Sequence, residues 1–202
     1  MTSIIIQRPG APDRLVLLFH GVGALPQNMV TLGKVIADAH PNTAVVSVAS
    51  PYPSDTGGGY QWFSVRGVTE ETRPARVTEA MPAFIACVKQ WQAEMQVPTD
   101  ETLLIGFSQG AIMALESTQQ ADRIAATVIG LSGRFAAPPE TKPAMPVHLI
   151  HGDADPIMAA AHAIAAHDQL VALGADVTLD IVPGLPHTIN AEVTRRLLTY
   201  VN

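Results

Sequence analysis

Gly106-Phe107-Ser108-Gln109-Gly110 stands between an apolar run, Thr102-Leu103-Leu104-Ile105, and a helix-forming run, Ala111-Ile112-Met113-Ala114-Leu115. Taken in order, this is a strand, a G-x-S-x-G turn and a helix. A chain that reverses within so few residues must hold the central one in a strained conformation. Glycine on either side removes the Cβ atoms that would collide there. Such a turn lifts the serine hydroxyl above a sheet edge and aims the following amides at whatever binds beside it. In this context the five residues form a nucleophile elbow, and Ser108 is the expected nucleophile.

Further apolar, β-rich runs occur at Ile4–Ile6, Leu15–Phe19, Ala44–Val48, Ala126–Leu131, Val147–Ile150 and Val177–Val182. The central ones are continuous rather than alternating, as in strands buried on both faces. The expected fold is therefore α/β: a mostly parallel central sheet of about seven strands, helices on both faces and no large lid domain. A helix is expected from about Ala75 to Gln96, with Val77, Met81, Phe84, Val88, Trp91 and Met95 on one stripe. Pro82 lies inside it and predicts a kink or a restart near Thr78. A later helix is expected to start at Asp155-Pro156 and stop at Gly174. Ser50–Thr72 and Ser132–Pro146 are rich in glycine or proline and read as long irregular loops.

At 202 residues the chain suits one domain, 1–202. A net charge of −6, with no run of Lys or Arg, argues against nucleic acid as a partner. The N-terminal residues read as an edge strand and not as a signal peptide. No stretch reaches the ~20 apolar residues needed to span a bilayer. Cys87, the one cysteine, has no partner for an internal disulfide and lies among apolar residues that suggest a buried thiol. A cytoplasmic monomer or homodimer is the expectation.

A serine hydroxyl is a weak nucleophile until an imidazole takes its proton, and that imidazole needs an orienting carboxylate. With a G-x-S-x-G elbow the chain order is Ser, then Asp or Glu, then His. His162 and His167 fall inside the expected helix, and His148 falls within a strand, its ring expected at a helix–sheet interface. His151 competes, but it precedes the best acids. His187 follows the last strand in Pro183-Gly184-Leu185-Pro186-His187, at the same sheet edge as Ser108, and is the expected base. His151-Gly152-Asp153-Ala154-Asp155-Pro156 offers two acids, Asp155 and Asp153; each has a plain alternative, as a helix N-cap and as a solvated loop residue. Asp180, in the last strand, is less well placed.

The oxyanion of acyl transfer needs fixed amide donors. One is expected from Gln109, and the second from Val22 in the strand-exit turn Phe19-His20-Gly21-Val22-Gly23. In the first long loop, Tyr60, Trp62 and Phe63 have two readings: Trp62 and Phe63 wall an acyl-binding pocket as substrate-binding residues, or they anchor the loop to the core. Arg66 and Arg134 either receive an anionic group or pair with acids such as Glu70 and Glu71.

Leu18-Phe19-His20-Gly21-Val22-Gly23, the elbow, His151 to Pro156 and Gly184-Leu185-Pro186-His187 together resemble the phospholipase/carboxylesterase family of α/β-hydrolases. The resemblance covers nearly the whole chain, with the motifs in the family's order. It implies Ser108 as nucleophile, Asp155 as acid, His187 as base, the Val22 and Gln109 amides as oxyanion hole, and no metal or organic cofactor. The expected substrate is a small-molecule ester with a short acyl chain. Acyl-protein thioesterase or lysophospholipase activity is the enzymatic alternative, and a non-catalytic ligand-binding protein on the same fold is the other.

Overall fold

The computed structural model describes residues 2–201. The chain runs through β1 (Ile4–Gln7), β2 (Arg14–Phe19), α1 (Val30–Ala39) and β3 (Thr43–Val48). A two-residue ladder, β4 (Tyr52–Pro53) with β5 (Tyr60–Gln61), precedes α2 (Arg73–Met95), β6 (Thr102–Phe107) and α3 (Gln109–Glu116). Then come β7 (Thr127–Leu131), β8 (Val147–Gly152), α4 (Ala161–Ala172), β9 (Val177–Val182) and α5 (Ala191–Leu198).

Seven strands form one sheet in the order β1-β3-β2-β6-β7-β8-β9. Every neighbouring pair is parallel except β1 with β3, so the N-terminal run is the antiparallel edge strand. Successive side chains of β2 serve opposite layers. Leu15, Leu17 and Phe19 join a core with Phe84 of α2, Met113 of α3 and Leu170 of α4. Val16 and Leu18 join Ile36 of α1 and Leu197 of α5 on the other face. Burial on both faces is why the central strands read as unbroken apolar runs. Among the described residues, no helix is long and apolar enough to cross a membrane.

Two expected helices differ. α2 passes through Pro82 without a restart, because its buried stripe from Val77 to Met95 continues on both sides of the proline. Pro82 and Thr78 are both exposed, so the Thr78 carbonyl that lacks a donor opens to water. α4 begins at Ala161, not at Pro156. The segment between is a turn gathered around the Asp155 carboxylate, which accepts the Ile157 and Met158 amides at 2.9 Å each. Cys87 is half-buried, and burial pushes its thiol up to about 11.

The 132–146 segment has no helix or strand but is pinned to its neighbours. Phe135, Ala136 and Met145 sit in the core. Gln119 accepts the Glu140 and Thr141 amides, and Glu116 Oε1 accepts the Ala136 amide at 2.5 Å. Burial raises the Glu116 carboxyl pKa against the lowering effect of the Ala136 and Ala137 amides. The folded chain then binds this proton more tightly than the unfolded one, so the site's contribution to stability falls as pH rises through the raised value. Glu116→Gln keeps an acceptor without the charge and is expected to match or exceed the wild-type Tm at pH 8. Glu116→Ala strands the Ala136 amide and is expected to lose about 1–2 kcal/mol. Thermal unfolding of both variants at pH 5 and pH 8 checks the pair.

Candidate active site

β6 ends at Phe107 and α3 begins at Gln109, so one residue makes the whole reversal. Ser108 has φ 54° and ψ −117°, a conformation L-residues hold at a strain of about 1–3 kcal/mol. Its amide donates to Leu131 O of the next strand at 3.0 Å, and its carbonyl accepts Ile112 N at 3.1 Å. The flanking glycines are sterically required. A Cβ on Gly106 would lie 2.4 Å from the Gly110 carbonyl, and one on Gly110 would lie 2.2 Å from the Phe19 carbonyl oxygen.

The structure brings Asp155, His187 and Ser108 together from three separate parts of the chain. His187 Nε2 is 2.9 Å from Ser108 Oγ, and Nδ1 is 2.6 Å from Asp155 Oδ2. A carboxylate only accepts, so Nδ1 carries the proton and a neutral ring turns its Nε2 lone pair to the serine. Burial pushes the Asp155 carboxyl up, but the Met158 amide, the His187 ring and the Ile157 amide outweigh it and hold it below the ordinary aspartate value. The His187 loop is fastened just before the histidine, at Gly184 and Leu185. Leu185 is buried and its carbonyl accepts Ala154 N at 3.2 Å, while Asp153 Oδ1 accepts Gly184 N at 2.6 Å. Asp153 thus holds the histidine's loop, while the ring's hydrogen bonds among the described residues go to Asp155 and Ser108.

The other candidates have separate partners. His151 is buried; its Nε2 donates to Met158 O at 2.7 Å and lies 3.4 Å from Asp155 Oδ2, on the acid and not on Ser108. His148 stacks on Tyr200 at 4.0 Å and pairs with Thr178. His162 lies against Arg134, and His167 beside Asp168. Asp180 takes Arg196 and the Tyr200 hydroxyl. Arg134 grips Glu70 with both terminal nitrogens, the pairing alternative from the sequence. Arg73 and Arg134 draw the Glu70 carboxyl down to about 2.

The turn after β2 abuts the elbow: a Cβ on Gly21 would lie 3.2 Å from Ser108 Cβ. In that turn Gly23 N donates to Tyr60 O at 2.8 Å and Ala24 N to Gly21 O at 3.3 Å. The amides of Val22 and Gln109 donate to no described residue. His20 beside them is fully buried and burial lowers its pKa. Its Nδ1 donates to Gly21 O at 2.8 Å, which leaves Nε2 to accept from Ser50.

The Phospholipase/Carboxylesterase model matches residues 1–202. This chain belongs to the phospholipase/carboxylesterase family. It is 48% identical to "Esterase YpfH" of Escherichia coli (strain K12) over 188 residues, 92% of this chain and 81% of that protein. It is 26% identical over 160 residues to "Acyl-protein thioesterase 1" of Neurospora crassa, 73% of this chain and 65% of that protein. The crystal structure of esterase PE8 superposes with a TM-score of 0.90 at 29% identity, covering 99% of this chain and 97% of that one.

Trp62 and Phe63 of this family member are 3% and 5% exposed. The Trp62 ring meets Phe19 and Phe84 edge-on, and its indole N–H donates to His20 O at 2.8 Å. These are the contacts of the anchoring alternative. Sequence reasoning missed the side-chain part of Gln109. Its Oε1 accepts Trp62 N and its Nε2 donates to Phe63 O, both at 2.8 Å. The available signal was a polar residue with apolar neighbours throughout the following helix, since a buried amide side chain must find partners.

Proposed function

We propose that this family member is a serine carboxylesterase, one catalytic domain over residues 1–202 that hydrolyses short-chain acyl esters through an acyl-enzyme on Ser108. The observation that carries the reading is the His187 ring, 2.9 Å from Ser108 Oγ and 2.6 Å from Asp155 Oδ2. Its support among relatives is the 48% identity to a protein named an esterase.

In this reading Ser108 Oγ adds to the ester carbonyl carbon while its proton passes to His187 Nε2. Asp155 keeps the proton on Nδ1 and stabilises the imidazolium, and general-base catalysis of this kind contributes about 10²–10⁴-fold. The Val22 and Gln109 amides receive the oxyanion. The tetrahedral adduct collapses, the C–O bond to the alcohol breaks, and His187 returns its proton to the departing oxygen. Water then repeats the sequence on the acyl-enzyme and releases the acid. Trp62 and Phe63 serve as scaffold.

The test is turnover of p-nitrophenyl esters from acetate to palmitate. We expect the highest kcat/KM at acetate or butyrate, because the fold carries no large lid to shelter a long chain. No turnover above background overturns the esterase reading. A maximum at palmitate, or faster cleavage of a palmitoyl thioester, overturns the short-chain part of it.

A further inference from the structure

We infer that the Gln109 carboxamide is a positioning group that locks the two halves of the oxyanion hole to each other. The inference rests on the proposed function, and it concerns the Gln109 side chain rather than its amide. The two unpartnered amides, of Val22 and Gln109, sit on different segments: one on the turn after β2, the other on the first residue of α3. No strand ladder covers the turn, and an oxyanion hole works only if both donors hold still relative to each other.

The link between them is the 60–63 segment. At one end Gln109 clamps it bidentately, accepting Trp62 N and donating to Phe63 O. The same segment also grips the turn on both sides of Val22. Before Val22, His20 O accepts the Trp62 indole N–H at 2.8 Å. After it, Gly23 N donates to Tyr60 O and Tyr60 N to Ala24 O, at 2.8 and 2.9 Å. Fit at this junction is tight: a Cβ on Gly59 would lie 2.2 Å from Gly23 O. Gln109 itself is 3% exposed, so its amide bonds form in a low-dielectric setting with no competing water. A displacement of either end of this strut moves one amide against the other.

The prediction separates positioning from plain stability. Gln109→Met preserves length and removes both hydrogen bonds. It is expected to lower kcat on p-nitrophenyl butyrate about 10- to 100-fold with KM within about threefold, since a misplaced donor weakens the transition state and not ground-state binding. Affinity for a trifluoromethyl ketone, whose hemiketal oxyanion occupies the same hole, is expected to fall by the same factor. Trp62→Phe, which keeps an aromatic ring but loses the indole N–H along with part of the bicyclic ring, is expected to give the same pattern at smaller size, and its kcat and ketone affinity decide the matter if Gln109→Met does not fold. A variant with lowered Tm but wild-type kcat and ketone affinity overturns the inference. So does a kcat loss without a matching loss of ketone affinity. Inactive wild-type protein would instead overturn the esterase reading, so the two failures are distinguishable.

Discussion

Replacing Ser108 by alanine is expected to lower kcat/KM for p-nitrophenyl butyrate by at least ~10⁴-fold while leaving the fold intact. The hydroxyl is the atom that becomes acylated, so its removal abolishes the covalent path and leaves only what the amides and His187 achieve on bound water. The substitution keeps Cβ, and alanine tolerates the 54° φ no worse than serine does. The loss to the fold is one hydrogen bond at a partly buried position, about 1 kcal/mol. A small shift in Tm beside a near-total loss of rate is thus the expected pair of results. Intact-mass spectra should show one fluorophosphonate adduct on wild type and none on Ser108→Ala. His187→Ala should lose nearly as much activity, and the double variant little more, because members of one relay act as a unit. An undiminished rate in Ser108→Ala would move the nucleophile elsewhere.

Much of this arrangement was legible because strand patterning and elbow sterics are local. The continuous apolar runs mark strands buried on both faces, and Gly106 and Gly110 mark positions where a Cβ would lie only 2.4 and 2.2 Å from neighbouring backbone atoms. Chain order then singled out His187, whose loop begins one residue after β9 ends. What failed to show was set by tertiary contacts. Asp-Pro at 155–156 has the signature of a helix start, yet the Asp155 carboxylate gathers the next amides into a turn and delays α4 to Ala161. Pro82 has the signature of a kink or a restart, and the restart is absent because the buried stripe outweighs one missing donor. The sequence points to the Gln109 amide and not to its side chain, whose partners lie 47 and 46 residues away. Trp62 and Phe63 were open to two readings, since aromatic residues in a loop look alike whether they face a ligand or the core.

Separating the two aspartates gives the second large effect. Asp155→Asn is expected to lower kcat about 10³- to 10⁴-fold, and Asp153→Asn to stay within about threefold of wild type. The asymmetry follows from what each carboxylate accepts. Asp155 Oδ1 holds two amide donors, Ile157 N and Met158 N, so an asparagine there must keep its oxygen on that side. Its NH₂ group then faces His187 Nδ1, which must accept, and the ring's proton shifts to Nε2. A ring in that tautomer presents an N–H to Ser108 and has no lone pair for the serine proton. Asp153 Oδ1 accepts only Gly184 N, a bond that asparagine makes equally well. Acid unfolding supplies an independent check. The Asp155 pKa is lowered in the fold, so its contribution to stability is complete above the unfolded aspartate pKa and is lost as pH falls through the folded value. Asp155→Asn, which cannot titrate, should therefore show a shallower fall in Tm below about pH 4 than wild type. If Asp153→Asn is the crippled variant and Asp155→Asn the active one, the acid has been assigned to the wrong residue.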